Sequence, residues 1–151
     1  MTFMSKVPDV LLDTNIIVYS SNTLSPKYEQ ASQFRERVRL GEMRAFISHQ
    51  NILESVRVLT HPKYENPMST QEVLAQIASF KQLCYVISPY SETEEIAISL
   101  IKKHGLGSNQ VFDAYLTATM LSNGLSIIAT DNEIHFKKFK EIKIINPFNP
   151  H

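Results

Sequence analysis

Apolar and polar positions fall along this chain in blocks that predict short strands separated by amphipathic helices. Val10-Leu11-Leu12 is an unbroken apolar run of strand length. Ser25 and Pro26 have the chemistry of a helix start, with serine as cap and proline at the first helical position. Tyr28, Ala31, Phe34 and Val38 then recur at helical spacing up to Gly41. Arg44 to Ser48 predicts a second strand, which runs into a helix with the stripe Ile52, Leu53, Val56 and Leu59. The segment "HPKYENP" reads as a loop. Ser69 with Glu72 is a capping-box signature ahead of Val73, Leu74, Ile77 and Phe80. Cys84 to Ser88 predicts a third strand. Ser91 with Glu94 repeats the capping-box signature before Ile96, Ala97, Leu100 and Ile101, and Gly105 closes that helix. Ser108 or Asn109 is the expected cap of the next helix, which ends at Gly124. Ser126 to Thr130 and Ile142 to Pro147 predict the fourth and fifth strands.

Strands alternating with helices define an α/β chain with a mainly parallel sheet of about five strands. At 151 residues, with no linker or repeat, one domain over 1–151 is expected. Sheets of this kind bind ligands beyond the carboxyl ends of their strands. The polar residues that follow the apolar runs therefore carry the interest. In "DVLLDTNIIVYS" the apolar run halts at Asp13-Thr14-Asn15 and then resumes. An ionised carboxylate in apolar surroundings is costly unless it is paired or coordinated.

The chain has four aspartates, Asp9, Asp13, Asp113 and Asp131. Asp13 follows the first predicted strand and Asp131 the fourth. Glu54 lies in the helix after the second strand, and Asp113 lies in a helix that is apolar nearly all round. Each has an ordinary explanation when taken alone. Asp13 can cap a short helix beginning at Thr14 or Asn15. Glu54 can pair on the surface with Arg57, three residues on. Asp113 suits the positive end of a helix dipole, and Asp131-Asn132 suits a turn. Taken together, two strand-end acids converge on one sheet edge, to which the helices can bring the other two. Packed carboxylates repel, and a divalent cation removes that repulsion. All-oxygen ligation selects Mg²⁺ or Mn²⁺ over zinc and points to phosphoryl or phosphodiester chemistry.

The sequence resembles the PIN-domain ribonucleases, and specifically the VapC-type toxins of type II toxin–antitoxin systems. The resemblance covers nearly the whole chain. It is carried by "VLLDTNIIVY", by Glu54 in "SHQNILESVRVL", by "GSNQVFDAYLTATMLSNG" and by "SIIATDN". It implies a three-layer α/β/α fold and an endoribonuclease that uses Mg²⁺ or Mn²⁺ to hydrolyse RNA phosphodiester bonds. Asp13, Glu54, Asp113 and Asp131 match the family's acidic quartet, as catalytic and metal-holding residues. Thr14 and Asn15 match positions that shape the first motif. A cognate antitoxin and a homodimer are the implied partners. The last motif departs from the family pattern: Thr130 is adjacent to Asp131, and Phe136 lies five residues beyond it. Asp131 is taken as the fourth acid, with Glu133 the nearest substitute. His49, His61 and His135 are assigned no role.

Charge then narrows the mode of RNA contact. Fifteen basic residues balance fifteen acidic ones, which fits a protein that reaches a limited RNA segment and not one that coats nucleic acid. Arg57, Lys137 and Lys138 are the candidate RNA contacts. The single Cys84 excludes an intramolecular disulfide and a cysteine-rich zinc site. No apolar stretch is long enough to span a bilayer, and "MTFMSKVPDV" lacks the apolar core of a secretory signal, so a cytoplasmic location is expected. A haloacid-dehalogenase-like phosphatase needs a second aspartate where Asn15 stands. A non-catalytic PIN-like binding module is the alternative of a different class, and the filled acidic positions argue against it. A housekeeping PIN nuclease differs from a toxin in lacking an adjacent antitoxin gene.

Overall fold

The computed structural model describes residues 6–149. Residues 1–5, half of the segment read against a secretory signal, and residues 150–151 lie outside the described part. The strands are β1 (Asp9–Leu12), β2 (Arg44–Ser48), β3 (Cys84–Ile87), β4 (Ile127–Ala129) and β5 (Lys143–Ile145). They form one sheet in the order β3-β2-β1-β4-β5, with every neighbouring pair parallel. The helices are α1 (Thr14–Ser21), α2 (Tyr28–Arg39), α3 (His49–Leu59), α4 (Thr70–Leu83), α5 (Thr93–His104), α6 (Gln110–Ser122) and α7 (Glu133–Phe136). The sequence pattern does not predict the short α7.

The two-residue period of the strands builds the three layers. Val10 and Leu12 of β1, Ala45 and Ile47 of β2, and Ala129 of β4 face one core, shared with Phe34 of α2, Leu59 of α3, and Val73, Ile77 and Phe80 of α4. Leu11, Ile128 and Ile87 face the opposite core, shared with Leu100 of α5 and with Ala114, Leu116 and Met120 of α6. Strands buried on both faces read as continuous apolar runs, which is why "VLL" and "IIA" carry no alternation.

The ends of the elements depart from expectation in instructive ways. Ser69 and Glu72 do form a reciprocal capping box at the start of α4. Ser91 and Glu94 do not. Helix α5 begins at Thr93 without a side-chain cap, because the buried Thr93 hydroxyl accepts from the Tyr90 N–H and shares a hydrogen bond with Ser122 of α6. Neither Ser108 nor Asn109 caps α6. Its first N–H groups bond the carbonyls of Gly107, Ser108 and Asn109 instead. Ser25 and Pro26 also lie outside the helix. The Ser25 hydroxyl and carbonyl take the N–H groups of Lys27 and Tyr28 in a turn, and α2 starts at Tyr28. Gly105 ends α5 as expected, at φ 60, where a side chain would be strained. Leu53 and Leu74 of the predicted apolar stripes face outward, as does Phe112 of the helix that is apolar nearly all round, and Leu53 is 70% exposed.

Candidate active site

The strand order reverses at β1, which has β2 on one side and β4 on the other. That switch point opens a crevice at the carboxyl ends of the strands. Asp13 immediately follows β1, and Thr130 and Asp131 follow β4. The Asp13 N–H donates to the Ala129 carbonyl at 3.0 Å, which locks the two strand ends together.

Asp13 is only 6% exposed. It is the N-cap of α1, and its Oδ1 accepts from the Thr14 N–H at 2.8 Å. Its Oδ2 accepts from the Thr130 hydroxyl at 2.8 Å and from Asn15 Nδ2 at 3.3 Å. The capping reading therefore holds, and the cap sits at the carboxyl end of β1. Even with these donors, burial pushes its carboxyl up to about 6, and the charges of Glu54 and Asp113 push in the same direction. Three carboxyls from β1, α3 and α6 thus act on one another electrostatically.

Thr14 and Asn15 connect the acids. The Thr14 hydroxyl donates to Glu54 Oε2 at 2.9 Å, and Gln50 Nε2 donates to Glu54 Oε1 at 3.0 Å. Glu54 is therefore turned into the site by Thr14 and Gln50, and the surface pairing with Arg57 is not how it is held. Asn15 donates to Asp13 and to Thr130 Oγ1, and its Oδ1 accepts from the Asp131 N–H at 3.1 Å. Asn51, fully buried, holds the start of α3 against the same motif. Its Oδ1 accepts from the Ser48 N–H and hydroxyl, while its Nδ2 donates to Thr14 Oγ1 at 3.2 Å. Asn51→Ala removes half a capping box and leaves the buried Ser48 hydroxyl without its acceptor and the part-buried Thr14 hydroxyl without its donor. The expected loss is about 2–3 kcal/mol of stability, read as a lower urea midpoint at unchanged slope.

Asp113 sits in the first turn of α6 with one-fifth of its side chain exposed. Burial raises its pKa, opposed by the His135 ring and the Lys138 charge. His135 Nδ1 lies 3.2 Å from Asp113 Oδ2, a contact that reading the sequence did not assign. Asp131 is held differently from the other three acids. It pairs with the Lys27 ammonium and accepts from the Tyr19 hydroxyl at 3.5 Å. Glu133, the substitute for Asp131, accepts from Asn146 Nδ2 at 2.9 Å and lines a separate hollow with Gln30 and Arg37. Among the described residues, no three His, Cys, Asp or Glu side chains are grouped so as to hold a metal ion by themselves. The oxygen-only donor set and the raised Asp13 carboxyl nevertheless fit a hard divalent cation that keeps part of its water shell.

Beside Glu54 and Asp113 the surface opens into a cleft of about 840 Å³, lined also by Gln50, Leu53, Arg57 and Phe112. Arg57 is thus placed at the mouth of the site. Lys138 lies behind His135, donating to its carbonyl, and Lys137 is exposed at the end of α7. No described helix is long and apolar enough to cross a membrane.

Known proteins share the sequence pattern and the fold. The sequence model for the PIN domain matches residues 10–142. Ribonuclease VapC48 of Mycobacterium tuberculosis is 25% identical over 143 residues, covering 91% of this chain and 96% of that protein. Among solved structures, VapBC2 from Rickettsia felis bound to a DNA fragment from its promoter superposes with a TM-score of 0.67 at 16% identity, over 91% of this chain and 98% of that one. The sarcin–ricin-loop-cleaving toxin VapC20 of M. tuberculosis gives 0.64 at 17% identity, over 88% and 98%. DNA-bound VapBC from Salmonella typhimurium gives 0.67 at 19% identity, over 93% and 99%.

Proposed function

The chain belongs to the PIN-domain family, and from that premise we propose that it is a divalent-metal-dependent endoribonuclease, the toxin of a toxin–antitoxin pair. The observation that carries the reading is the placement of Asp13, Glu54 and Asp113 near enough to act on one another: burial raises the Asp13 carboxyl above its ordinary range, and the charges of Glu54 and Asp113 add to the rise. A site that stores like charge in this way calls for a cation. The likeness to ribonuclease VapC48 and to toxins of VapBC complexes supports RNA as substrate and an antitoxin as partner. Pairing into a homodimer is part of the same reading.

In this reading Asp13, Glu54 and Asp113 hold Mg²⁺ or Mn²⁺. When bound, such an ion supplies positive charge to the phosphate and makes water an effective nucleophile at neutral pH. The protein does the rest by orientation. Thr14 N–H, Thr130 and Asn15 fix both oxygens of Asp13, and Thr14 with Gln50 fixes Glu54. His135 holds Asp113 from the solvent side. Arg57 at the cleft mouth contacts backbone phosphate, which positions the strand without reading its sequence. Lys137 and Lys138 extend that contact along α7. Phe112 and Leu53 offer apolar surface to unpaired bases.

The test is cleavage of single-stranded and looped RNA by metal-stripped protein with Mg²⁺ or Mn²⁺ added back. Cleavage is expected only with the ion present. Asp113→Asn is expected to lower it by more than about a hundredfold, beyond what loss of an outer-shell partner costs, with circular dichroism showing a native fold. Cleavage that persists in chelator, or a fully active Asp113→Asn protein, sinks the proposal.

A further inference from the structure

Asp131 is the acid of the quartet that is paired with a lysine ammonium. The turn at Ser25–Tyr28 places Lys27 at the edge of the crevice, and its ammonium pairs with the Asp131 carboxylate. Two rings fix that ammonium. Its Nζ lies 5.3 Å from the centroid of the Tyr19 ring and 5.7 Å from that of Phe148. The rings themselves meet edge to face at 5.2 Å. An ammonium held over two aromatic faces is attracted by both. The Tyr19 hydroxyl then donates to the same carboxylate, and the Asp131 N–H is tied through Asn15 to the Asp13 network. Asp131 is therefore buried on its polar side by partners from α1 and the turn before α2, with 16% of its side chain exposed.

Two-metal sites place their ions ~3.5–4 Å apart, with carboxylates on both. Here the carboxylate of the fourth acid is already taken by an ammonium held against two rings. We propose that the Lys27 ammonium stands where Asp131 would otherwise hold a second cation, so that the site takes one divalent ion. This rests on the proposed metal dependence and adds the number of ions and a role for Lys27. Lys27 is a positioning residue: it acts through Asp131 and not on the phosphate. Asp131 in turn orders the Asn15 side of the network without ligating the ion.

Calorimetric titration of Mn²⁺ into the metal-stripped full chain at neutral pH decides the matter without any cleavage assay, with Mn²⁺ electron paramagnetic resonance as a second count. One ion per chain is expected for the native protein. Asp131→Asn keeps one ion with a dissociation constant within about threefold of native, whereas Asp13→Asn weakens binding by more than about tenfold. Lys27→Met uncovers the Asp131 charge, so binding tightens by more than about threefold or a second ion appears, as removal of a cation near a dication requires. Lys27→Arg keeps the charge and keeps one ion. Two ions per native chain overturn the inference. So does an Asp131→Asn protein weakened as much as Asp13→Asn, or a Lys27→Met protein that binds as native. A native protein that binds no ion overturns instead the metal-dependent function proposed above.

Discussion

Asp13→Asn is expected to abolish RNA cleavage and, in the same protein, to raise the melting temperature measured in chelator. Both effects come from one feature, a carboxyl with fixed donors in a buried, acidic neighbourhood. The amide keeps the shape and the Thr14 N–H bond but carries no charge to hold a cation. Loss of cleavage by more than about a hundredfold follows if outer-shell partners alone are worth ten- to a hundredfold. The stability gain follows from the pKa. A shift from 3.8 to about 6 means that the ionised group costs the metal-free fold about 3 kcal/mol at neutral pH. The amide returns about 1 kcal/mol of this, because its NH₂ now faces two donors, Thr130 and Asn15. A net gain of about 2 kcal/mol corresponds to a rise of about 4–8 °C for a chain of this size. Scanning calorimetry in chelator measures it. A lower melting temperature would show that neighbouring donors stabilise the charged form after all.

The second large effect is a pH-dependent response to the metal itself. Between about 4 and 6 the unfolded chain has lost the Asp13 proton while the native state still holds it. Stability of the metal-free protein from this group is therefore present at low pH and is lost as pH rises through about 6. Asp113, also raised, contributes with the same sign. Exposed carboxyls held low by their partners, such as Glu36 beside Arg39, contribute with the opposite sign. The difference between the native and Asp13→Asn profiles isolates the Asp13 contribution. Mn²⁺ at a hundredfold over its dissociation constant adds about 2.7 kcal/mol. At pH 7.5 that gain is expected in full. At pH 5 protons compete for Asp13, weaken binding about tenfold, and remove about half of it. Thermal unfolding with and without Mn²⁺ at the two pH values reads this directly, and an equal gain at both would exclude Asp13 as a metal-binding group.

What could be read from the sequence was local, or was forced by an anomaly. Asp13 stands out because an acid interrupts an apolar run, and the same position is the buried N-cap of α1. The Ser69–Glu72 box was legible because its bonds span three residues. Ser91 and Glu94 have the same letters at the same spacing, but Thr93 found Ser122, 29 residues away, and moved the helix start. Glu54 was placed only by its position after the second strand, since its partner Thr14 lies 40 residues back. Lys27 gave no signal, because its partner Asp131 is 104 residues away and nothing in "SPKYEQ" marks the lysine. His135 was set aside as a surface residue. At 53% side-chain exposure it is one, and it still touches Asp113. Leu53 fits a helical stripe and Phe112 lies in a helix apolar nearly all round, so neither pattern distinguishes their exposure beside the cleft from burial in the core.

The strand order has a consequence for synthesis. β1 is made first, but one of its two neighbours, β4, begins at Ile127. Until that segment has left the ribosome, Asp13 has no Thr130 and Asn15 has no Asp131. Pairing over such sequence separations is slow to form. A nascent chain therefore carries Asp13, Glu54 and Asp113 before it has the Thr130 and Asp131 contacts that fix Asp13 and Asn15, which form only after β4 has been made.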